Sequence, residues 1–128
     1  MTTKYFITLL LLLSFTVLAQ AQKVIPVTSN EVSNLLAKDK TWIVLDVRTP
    51  DEFKEGHIKN AINIDINSDD ANKKIDKLNK NAKYIVHCRS NHRSGIAVAY
   101  MNKHGFKTIY QMMDGFSGWS SGNKPIEK

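Results

Sequence analysis

A nearly continuous apolar run, Trp42-Ile43-Val44-Leu45-Asp46-Val47, constrains the fold of this chain more than any other segment. A strand with one face in water alternates apolar and polar side chains, whereas this run offers apolar side chains to both faces. We therefore predict a strand buried on both faces, in a mainly parallel sheet that is covered by helices on either side. A second run, Tyr84-Ile85-Val86 within residues 83–87, predicts another central strand.

Strand and helix patterns alternate along the rest of the chain. Residues 24–27 predict a strand, and Pro26 places it at an edge of the sheet, where a missing N–H is tolerated. A helix follows, opened by a capping box of Thr28 and Glu31. Further helices are predicted from Thr49 and over 69–80 and 93–103, and further strands over 61–64 and 107–112. A glycine-rich turn over 114–119 leads into a short terminal helix. The alternation predicts one α/β domain with five strands, followed by a frayed polar tail from Ser120.

The first 21 residues are typical of a secretory signal peptide. Lys4 gives a positive start, the apolar stretch over 5–18 follows, and Ala19-Gln20-Ala21 is a small-x-small cleavage site. The alternative is a membrane anchor, but the apolar stretch is short for one, since a spanning helix needs about 20 residues. We expect residues 22–128 to be a single exported domain, periplasmic or secreted, with no stable membrane anchor.

Composition limits the partners and the covalent chemistry. The chain has one cysteine and cannot form an internal disulfide, so the lone thiol is either buried and inert or retained for chemistry. The formal net charge of +6 comes largely from lysines between residues 73 and 83, which alternate with Asp70, Asp76 and asparagines. No aromatic residues are interleaved with them, so we expect a solvated helix face and no nucleic-acid partner. Such a charge suits small anionic substrates.

The cysteine lies at Cys88, where a predicted buried strand ends and a helix is about to begin. Loop N–H groups, the positive helix N-terminus, Arg89 and Arg93 would all stabilise its thiolate, and they would also hold a dianionic substrate. A polar loop with two arginines favours an exposed, reactive cysteine over a structural one. Ligands of parallel sheets bind beyond the carboxyl ends of the strands, so Asp46 and Cys88 are expected to face one crevice.

Three segments together resemble the single-domain rhodaneses. Cys88-x-x-x-x-Arg93-Ser94 resembles the active-site loop of that family. The stretch from Leu45 to Ile64, which contains Asp46-Val47-Arg48-Thr49-Pro50 and Gly56-His57-Ile58, is similar to its N-terminal signature. Tyr110 with Gly115-Phe116-Ser117-Gly118-Trp119 is similar to its C-terminal one. The resemblance covers residues 24–125.

This resemblance implies a rhodanese-like, five-stranded parallel sheet flanked by helices on both faces, and a sulfurtransferase activity. Cys88 would attack thiosulfate or a similar sulfane donor, release sulfite and become a persulfide. A thiol or cyanide would then accept the sulfur, with no metal or organic cofactor. The anion-binding loop that the resemblance implies consists of Arg89, Ser90, Asn91, His92, Arg93 and Ser94.

The length of the loop between Cys88 and Arg93 distinguishes a sulfurtransferase from a phosphatase or an arsenate reductase. Related phosphatases and arsenate reductases have one more residue between cysteine and arginine, whereas four residues separate Cys88 from Arg93 here. A rhodanese-like binding or regulatory module without activity also stays open, although such modules often lack the cysteine.

The chain departs from the family at Asn91 and Asp114, where glycine is frequent. Asparagine tolerates left-handed backbone geometry, and Asp114 is expected to affect only a turn. The bulky His92 is expected to shape the pocket.

For several of the remaining polar residues the sequence leaves two alternative roles, one functional and one structural. Arg89 either attracts the donor at the pocket mouth or is a solvated surface charge, and Arg93 is expected to brace the loop against a carboxylate. Arg48 lies either at the pocket rim or in a scaffold with Asp46, for which an ion pair is favoured. His57 is favoured as a structural residue over a general base. His87 should face away from Cys88, because neighbouring strand residues point to opposite faces. The sequence leaves the physiological donor, the acceptor and the oligomeric state open.

Overall fold

The computed structural model of the protein describes residues 23–128, so the predicted signal peptide lies outside the described residues. Its strands are β1 (Val24–Val27), β2 (Trp42–Asp46), β3 (Ile62–Asn63), β4 (Lys83–His87) and β5 (Thr108–Met112). Its helices are α1 (Ser29–Lys38), α2 (Pro50–Glu55), α3 (Ala71–Asp76), α4 (His92–Lys103) and α5 (Gly115–Ser121). Strands and helices alternate as the sequence predicts.

The five strands form one sheet in the order β1-β5-β4-β2-β3, and every neighbouring pair is parallel. The predicted α/β fold with a five-stranded parallel sheet is therefore confirmed. Pro26 lies on the edge strand β1, as expected from its missing N–H. The central strands β2 and β4 pair along their whole length, which brings the ends of both strands to one edge.

Two apolar clusters cover the two faces of the sheet, because successive residues of a strand point to opposite sides. Leu45, Tyr84 and Val86 pack with α3 and α4, whereas Val44 and Ile85 pack with α1 and Trp119 of α5. This alternation continues past the end of β4. Cys88 belongs to the cluster of α3 and α4, and the ring of His87 faces Phe116 of α5, so the predicted opposition of these two side chains is confirmed.

Three local predictions need correction. Helix α3 is shorter than the predicted 69–80, because i→i−3 bonds from Lys77 and Leu78 tighten its end. The polar tail is not frayed: Glu127 and His57 exchange backbone hydrogen bonds of 2.8 and 2.9 Å. At Thr28 only half of the capping box forms, since the hydroxyl accepts from Glu31 N at 3.2 Å but Glu31 reaches the hydroxyl instead of the backbone N–H.

Candidate active site

The site is built where β4 runs into α4, and we call residues 88–94 the Cys88 loop. Cys88 is 1% exposed, which corrects the expectation of an exposed thiol. Residues 89–92 are exposed, Arg93 is half-buried and Ser94 is fully buried. The loop therefore covers the sulfur and presents its middle residues, including His92, to solvent.

The first turn of α5 holds the loop from one side. Phe116 N donates to Cys88 O at 2.8 Å, and Ser117 N donates to Arg89 O at 3.1 Å. Gly115 makes this approach possible, because a Cβ built on it would lie 2.3 Å from Arg89 O and 2.4 Å from Ser90 O. Its φ of +60° also favours glycine. The carbonyl groups at the start of the loop thus face α5.

The N–H groups of the loop are left free as a consequence. The described residues contain no cis peptide bond, so each N–H points opposite to the preceding carbonyl, and those of residues 89–91 point away from α5. Residues 92–94 form the first turn of α4, whose N–H groups have no partner within the helix. Within residues 23–128, none of these six N–H groups donates a hydrogen bond. They are available to an anion.

A buried hydrogen-bond network lies beside the sulfur. Cys88 Sγ lies 3.6 Å from Ser94 Oγ, and Ser94 Oγ donates to Asn91 O at 3.2 Å. Gln111 Nε2, from β5, donates to Ser94 Oγ at 3.0 Å and to Asn91 O at 3.1 Å. Gln111 was not predicted from the sequence. Its only signal was a polar residue inside an apolar strand.

Arg93 has the carboxylate partner that the sequence analysis expected. Its two terminal nitrogens bind the two carboxylate oxygens of Glu52 at 2.7 and 3.1 Å. This ion pair lowers the pKa of Glu52 to about 2 and raises that of Arg93. Glu52 is also the N3 residue of a complete capping box with Thr49, so the start of α2 fixes its position. The guanidinium of Arg93 is thereby held by α2.

A second buried polar group, the His87 cluster, consists of His87, Asp46, Arg48 and Phe116 on the α5 face of the sheet. Arg48 binds the Asp46 carboxylate through Nε and Nη2, with Nη2–Oδ2 at 2.7 Å, and Nη2 also donates to Gly56 O at 2.7 Å. Its guanidinium lies 4.0 Å over the Phe116 ring. Asp46 is fully buried in this ion pair, which corrects the expectation that it faces a crevice with Cys88.

His87 is fully buried at the centre of this cluster. Its Nδ1 lies 3.0 Å from Cys88 O and must carry the hydrogen, since a carbonyl only accepts. Its Nε2 has no hydrogen-bond partner among the described residues and lies 3.6 Å from Asp46 Oδ2. Burial lowers the pKa of His87, although the charge of Asp46 opposes this shift. The ring is therefore held neutral.

Beside the loop, a groove of about 370 Å³ opens over the His87 cluster. Arg89 and Arg48 contribute its positive charge, and Glu52 and Glu55 its negative charge. Arg48 lines the groove but is only 4% exposed, so the structure shows mainly the ion-paired scaffold residue of the two alternatives drawn from the sequence. Arg89 is exposed and lies at this groove, where it is available to an incoming anion.

Two departures from the family pattern behave differently from expectation. Asn91 has φ −149°, so the left-handed tolerance of asparagine is not used. Its side chain instead donates to Met113 O at 3.3 Å. Asp114 does more than shape a turn: its carboxylate accepts from Ser29 N at 2.9 Å and from Ser29 Oγ at 2.5 Å. It thereby ties the start of α5, which seats the loop, to the start of α1.

His57 lies away from the Cys88 loop in contacts typical of a structural residue. Its Nδ1 donates to Phe53 O at 2.8 Å and its ring stacks on Phe53, at the end of α2. Among residues 23–128, no group of three or more His, Cys, Asp or Glu side chains is arranged to hold a metal ion. Across the same residues, no helix combines the length and apolar character needed to cross a membrane.

Comparison with known proteins places this geometry in a family. Over 117 residues the chain is 31% identical to rhodanese-like domain-containing protein 17 of Arabidopsis thaliana, covering 82% of this chain and 74% of that protein. It is 26% identical to a sulfurtransferase of Allochromatium vinosum, covering 78% and 92%. It is also 33% identical to the tRNA uridine(34) hydroxylase of Pelagibacter ubique, but spans 32% of that longer protein.

Solved structures agree with the sequence relatives. The crystal structure of a rhodanese-related protein from Thermoplasma volcanium matches with a TM-score of 0.71 and 28% identity, covering 80% of this chain and 97% of the other. The family model described as the rhodanese-like domain matches residues 28–122, from the cap of α1 to the end of α5. This protein belongs to the rhodanese-like domain family.

Proposed function

We propose that this protein is an exported sulfurtransferase that moves sulfane sulfur from thiosulfate, or a similar small anionic donor, to a thiol or to cyanide. The observation that carries the proposal is a run of six backbone N–H groups, in the loop that starts at Cys88, that donate to no acceptor among residues 23–128. Donors that the fold already holds in place stabilise a negative sulfur without reorganisation. The similarity to a sulfurtransferase of A. vinosum supports the reaction class.

The first step loads the cysteine. The Cys88 thiolate attacks the outer sulfur of thiosulfate, and a sulfur–sulfur bond forms to Cys88. The sulfur–sulfur bond of thiosulfate breaks, and sulfite leaves with its electron pair. Cys88 then carries a persulfide, whose negative outer sulfur accepts hydrogen bonds from the N–H groups of residues 89–94. The proposal needs no metal or organic cofactor.

The second step transfers the sulfur from the Cys88 persulfide to an acceptor. The carbon of cyanide attacks the outer sulfur of the persulfide and leaves as thiocyanate, or a thiolate attacks it and leaves as a new persulfide. In both cases the bond between the two sulfurs breaks and its electrons return to Cys88 as thiolate. Because the donor product leaves before the acceptor reacts, the kinetics should be ping-pong.

The arginines have separate parts in this proposal. Arg89, exposed at the groove, attracts the anionic donor toward the loop. Arg93, held by Glu52, fixes the first turn of α4 and adds positive charge near the sulfur. Arg48 contributes charge at the rim, with its position set by Asp46.

Export is supported by the sequence of residues 1–21, which has the charged start, apolar stretch and small-residue site of a signal peptide. The measurement is N-terminal sequencing of the protein recovered from a periplasmic or culture fraction. Cleavage after Ala21 is the expected result, and an uncleaved chain confined to the cytoplasm would contradict export.

The reaction is tested by the formation of thiocyanate from thiosulfate and cyanide. The wild-type protein should form it, and Cys88→Ser, which keeps the size of the side chain but removes the nucleophile, should abolish it. Circular dichroism should show the same fold for both proteins. If the wild type transfers no sulfur from thiosulfate, polysulfide or an organic persulfide, the enzymatic reading fails and the binding-module reading replaces it.

A further inference from the structure

The side-chain amide of Gln111 reaches into the Cys88 loop, and the sulfur-transfer steps above give it no part. Its Nε2 lies 3.0 Å from Ser94 Oγ and 3.1 Å from Asn91 O. Gln111 is 9% exposed, and Ser94 and Cys88 are 0% and 1% exposed. Hydrogens placed at such buried positions are held by the fold, and Ser94 Oγ depends on them because water is excluded from it, whereas Asn91 is exposed.

The hydrogens of this network can be counted for the thiol form. Cys88 donates its S–H to Ser94 Oγ at 3.6 Å, and Ser94 donates its own hydrogen to Asn91 O at 3.2 Å. Gln111 adds a second donor to Ser94 Oγ and a further donor to Asn91 O. Asn91 O also accepts from Gly95 N at 2.9 Å. In this form the network is complete without Gln111.

The count changes when Cys88 loses its proton, because its sulfur then accepts instead of donating. The Ser94 hydroxyl is within reach of the sulfur, but it must leave Asn91 O in order to donate to it. Ser94 Oγ meanwhile loses the donor that the thiol supplied. Asn91 O keeps Gly95 N and Gln111 as donors, whereas Ser94 Oγ keeps Gln111 alone, so the amide of Gln111 offsets the loss at Ser94 Oγ.

We infer that Gln111 is a positioning residue that acts through Ser94 to favour the anionic sulfur of Cys88 over the thiol. The inference deepens the proposed function and rests on it in one respect, that the thiolate is the reacting species. The selectivity arises because, without Gln111, Ser94 Oγ would have no donor in the thiolate form, whereas in the thiol form it still accepts from Cys88. One net hydrogen bond corresponds to a factor of about five in the thiol–thiolate equilibrium.

The test follows the ionisation of the lone cysteine by the ultraviolet absorbance of its thiolate as a function of pH. This readout requires no reagent to reach the buried sulfur, and subtracting the curve of Cys88→Ser removes the tyrosines. In Gln111→Met, which keeps the length of the side chain but has no donor, the midpoint should rise by about half a unit to one unit. Thr108→Val, on the same strand, is the matched control and should leave the midpoint unchanged.

A double-mutant cycle separates positioning from a general structural effect. On a Ser94→Ala background, Gln111→Met should add no further shift, because the hydroxyl through which Gln111 acts is absent. The rate of persulfide formation at neutral pH should fall about fivefold in Gln111→Met, with little change in the thiosulfate KM. If Gln111→Met does not fold, Gln111→Glu replaces it: the carboxylate only accepts, and its charge should raise the midpoint further.

An unchanged midpoint in a folded Gln111 variant would overturn the inference, and so would an equal shift on the wild-type and Ser94→Ala backgrounds. The ionisation measurement contains no sulfur donor, so it is independent of turnover. A wild type that takes up no sulfur but shows the Ser94-dependent shift would therefore remove the proposed function and retain the positioning role.

Discussion

His87 and Cys88 are consecutive, buried and polar, yet their side chains lie on opposite faces of the sheet. Their chemical surroundings also differ. The His87 cluster pairs its charges internally: Arg48 satisfies Asp46 and Gly56 O, and the neutral ring donates to Cys88 O. The Cys88 loop has more donors than acceptors, because the N–H groups of residues 89–94 donate to no acceptor within the described chain. Burial alone therefore does not make a polar site reactive, whereas a surplus of hydrogen-bond donors held in place prepares it for an anion.

The two regions also differ in what holds them. The Cys88 loop is fixed largely by backbone contacts with α5, which depend on a glycine at position 115. The His87 cluster is fixed by side-chain charges that water cannot reach. Damage to the cluster should therefore appear in stability, and damage to the loop should appear in activity.

The largest stability effect is expected from Asp46→Asn, which leaves the charge of the buried Arg48 without a counterion. The free energy of unfolding should fall by about 3–5 kcal/mol, a larger effect than that on sulfur transfer per folded molecule. Chemical denaturation measures the loss. Asp39→Asn, which breaks a half-buried ion pair with Lys83, is the matched control and should cost much less, because water still reaches both charges. Equal losses in the two variants would contradict a special role for burial.

Gly115→Ala should reduce activity more than stability, in contrast to Asp46→Asn. A methyl group at this position would meet the carbonyl oxygens of Arg89 and Ser90 and would require α5 and the loop to move apart. Sulfur transfer should fall about 100-fold, as expected for a misplaced reacting group, with a stability loss of about 2–3 kcal/mol.

The glycine control for that variant is Gly95→Ala, whose added methyl would lie 3.7 Å from Gln111 Nε2, an ordinary contact. Within α4 this change should leave stability unchanged or raise it by up to about 1 kcal/mol. Thermal unfolding and single-turnover sulfur loading measure both variants. A Gly115→Ala protein that loads sulfur at the wild-type rate would show that α5 does not shape the loop.

A pH effect should come from the His87 cluster. Burial lowers the folded-state pKa of His87 below its ordinary 6.5, so the neutral ring contributes stability that is present above pH 6.5. That contribution is lost as the pH falls from 6.5 through the folded pKa, with a slope of about 1.4 kcal/mol per pH unit. His87→Gln should flatten this part of the curve in denaturation series. The same slope in both proteins would exclude His87 as its source.

The smallest effect is expected from Arg89→Ala. An exposed arginine that attracts the donor contributes to its capture, so KM for thiosulfate should rise several-fold while turnover and stability change little. The effect should shrink in high salt. Lys107→Ala removes the same charge from an exposed position that precedes β5 and serves as the control. An unchanged KM would show that Arg89 is a solvated surface charge with no part in donor capture.

The sequence was sufficient for the sheet and for the position of the cysteine. The apolar runs around Leu45 and Ile85 carry their own periodicity, and Thr49-Pro50 marks a helix start by local chemistry. The sequence was insufficient for predicting contacts between residues that are distant along the chain. The carboxylate for Arg93 was expected, but Glu52 lies 41 residues away and could not be chosen from pattern alone.

The same limit explains the corrected expectations. Asp114 binds Ser29 across 85 residues, and no local pattern distinguishes that contact from a turn. The tail was predicted to fray because its side chains are polar, but Glu127 pairs with His57 through backbone groups, which leave no trace in residue type. Gln111 was missed because a polar residue in a strand shows only that some partner must exist.

The central claim is that Cys88 carries sulfur as a persulfide, and mass spectrometry of the thiosulfate-treated protein tests it most directly. The account predicts the added mass of one sulfur atom on the peptide that contains Cys88, removed by cyanide or by a thiol and absent from Cys88→Ser. A folded wild-type protein that gains no sulfur from any sulfane donor, or that gains it equally without Cys88, would contradict the account.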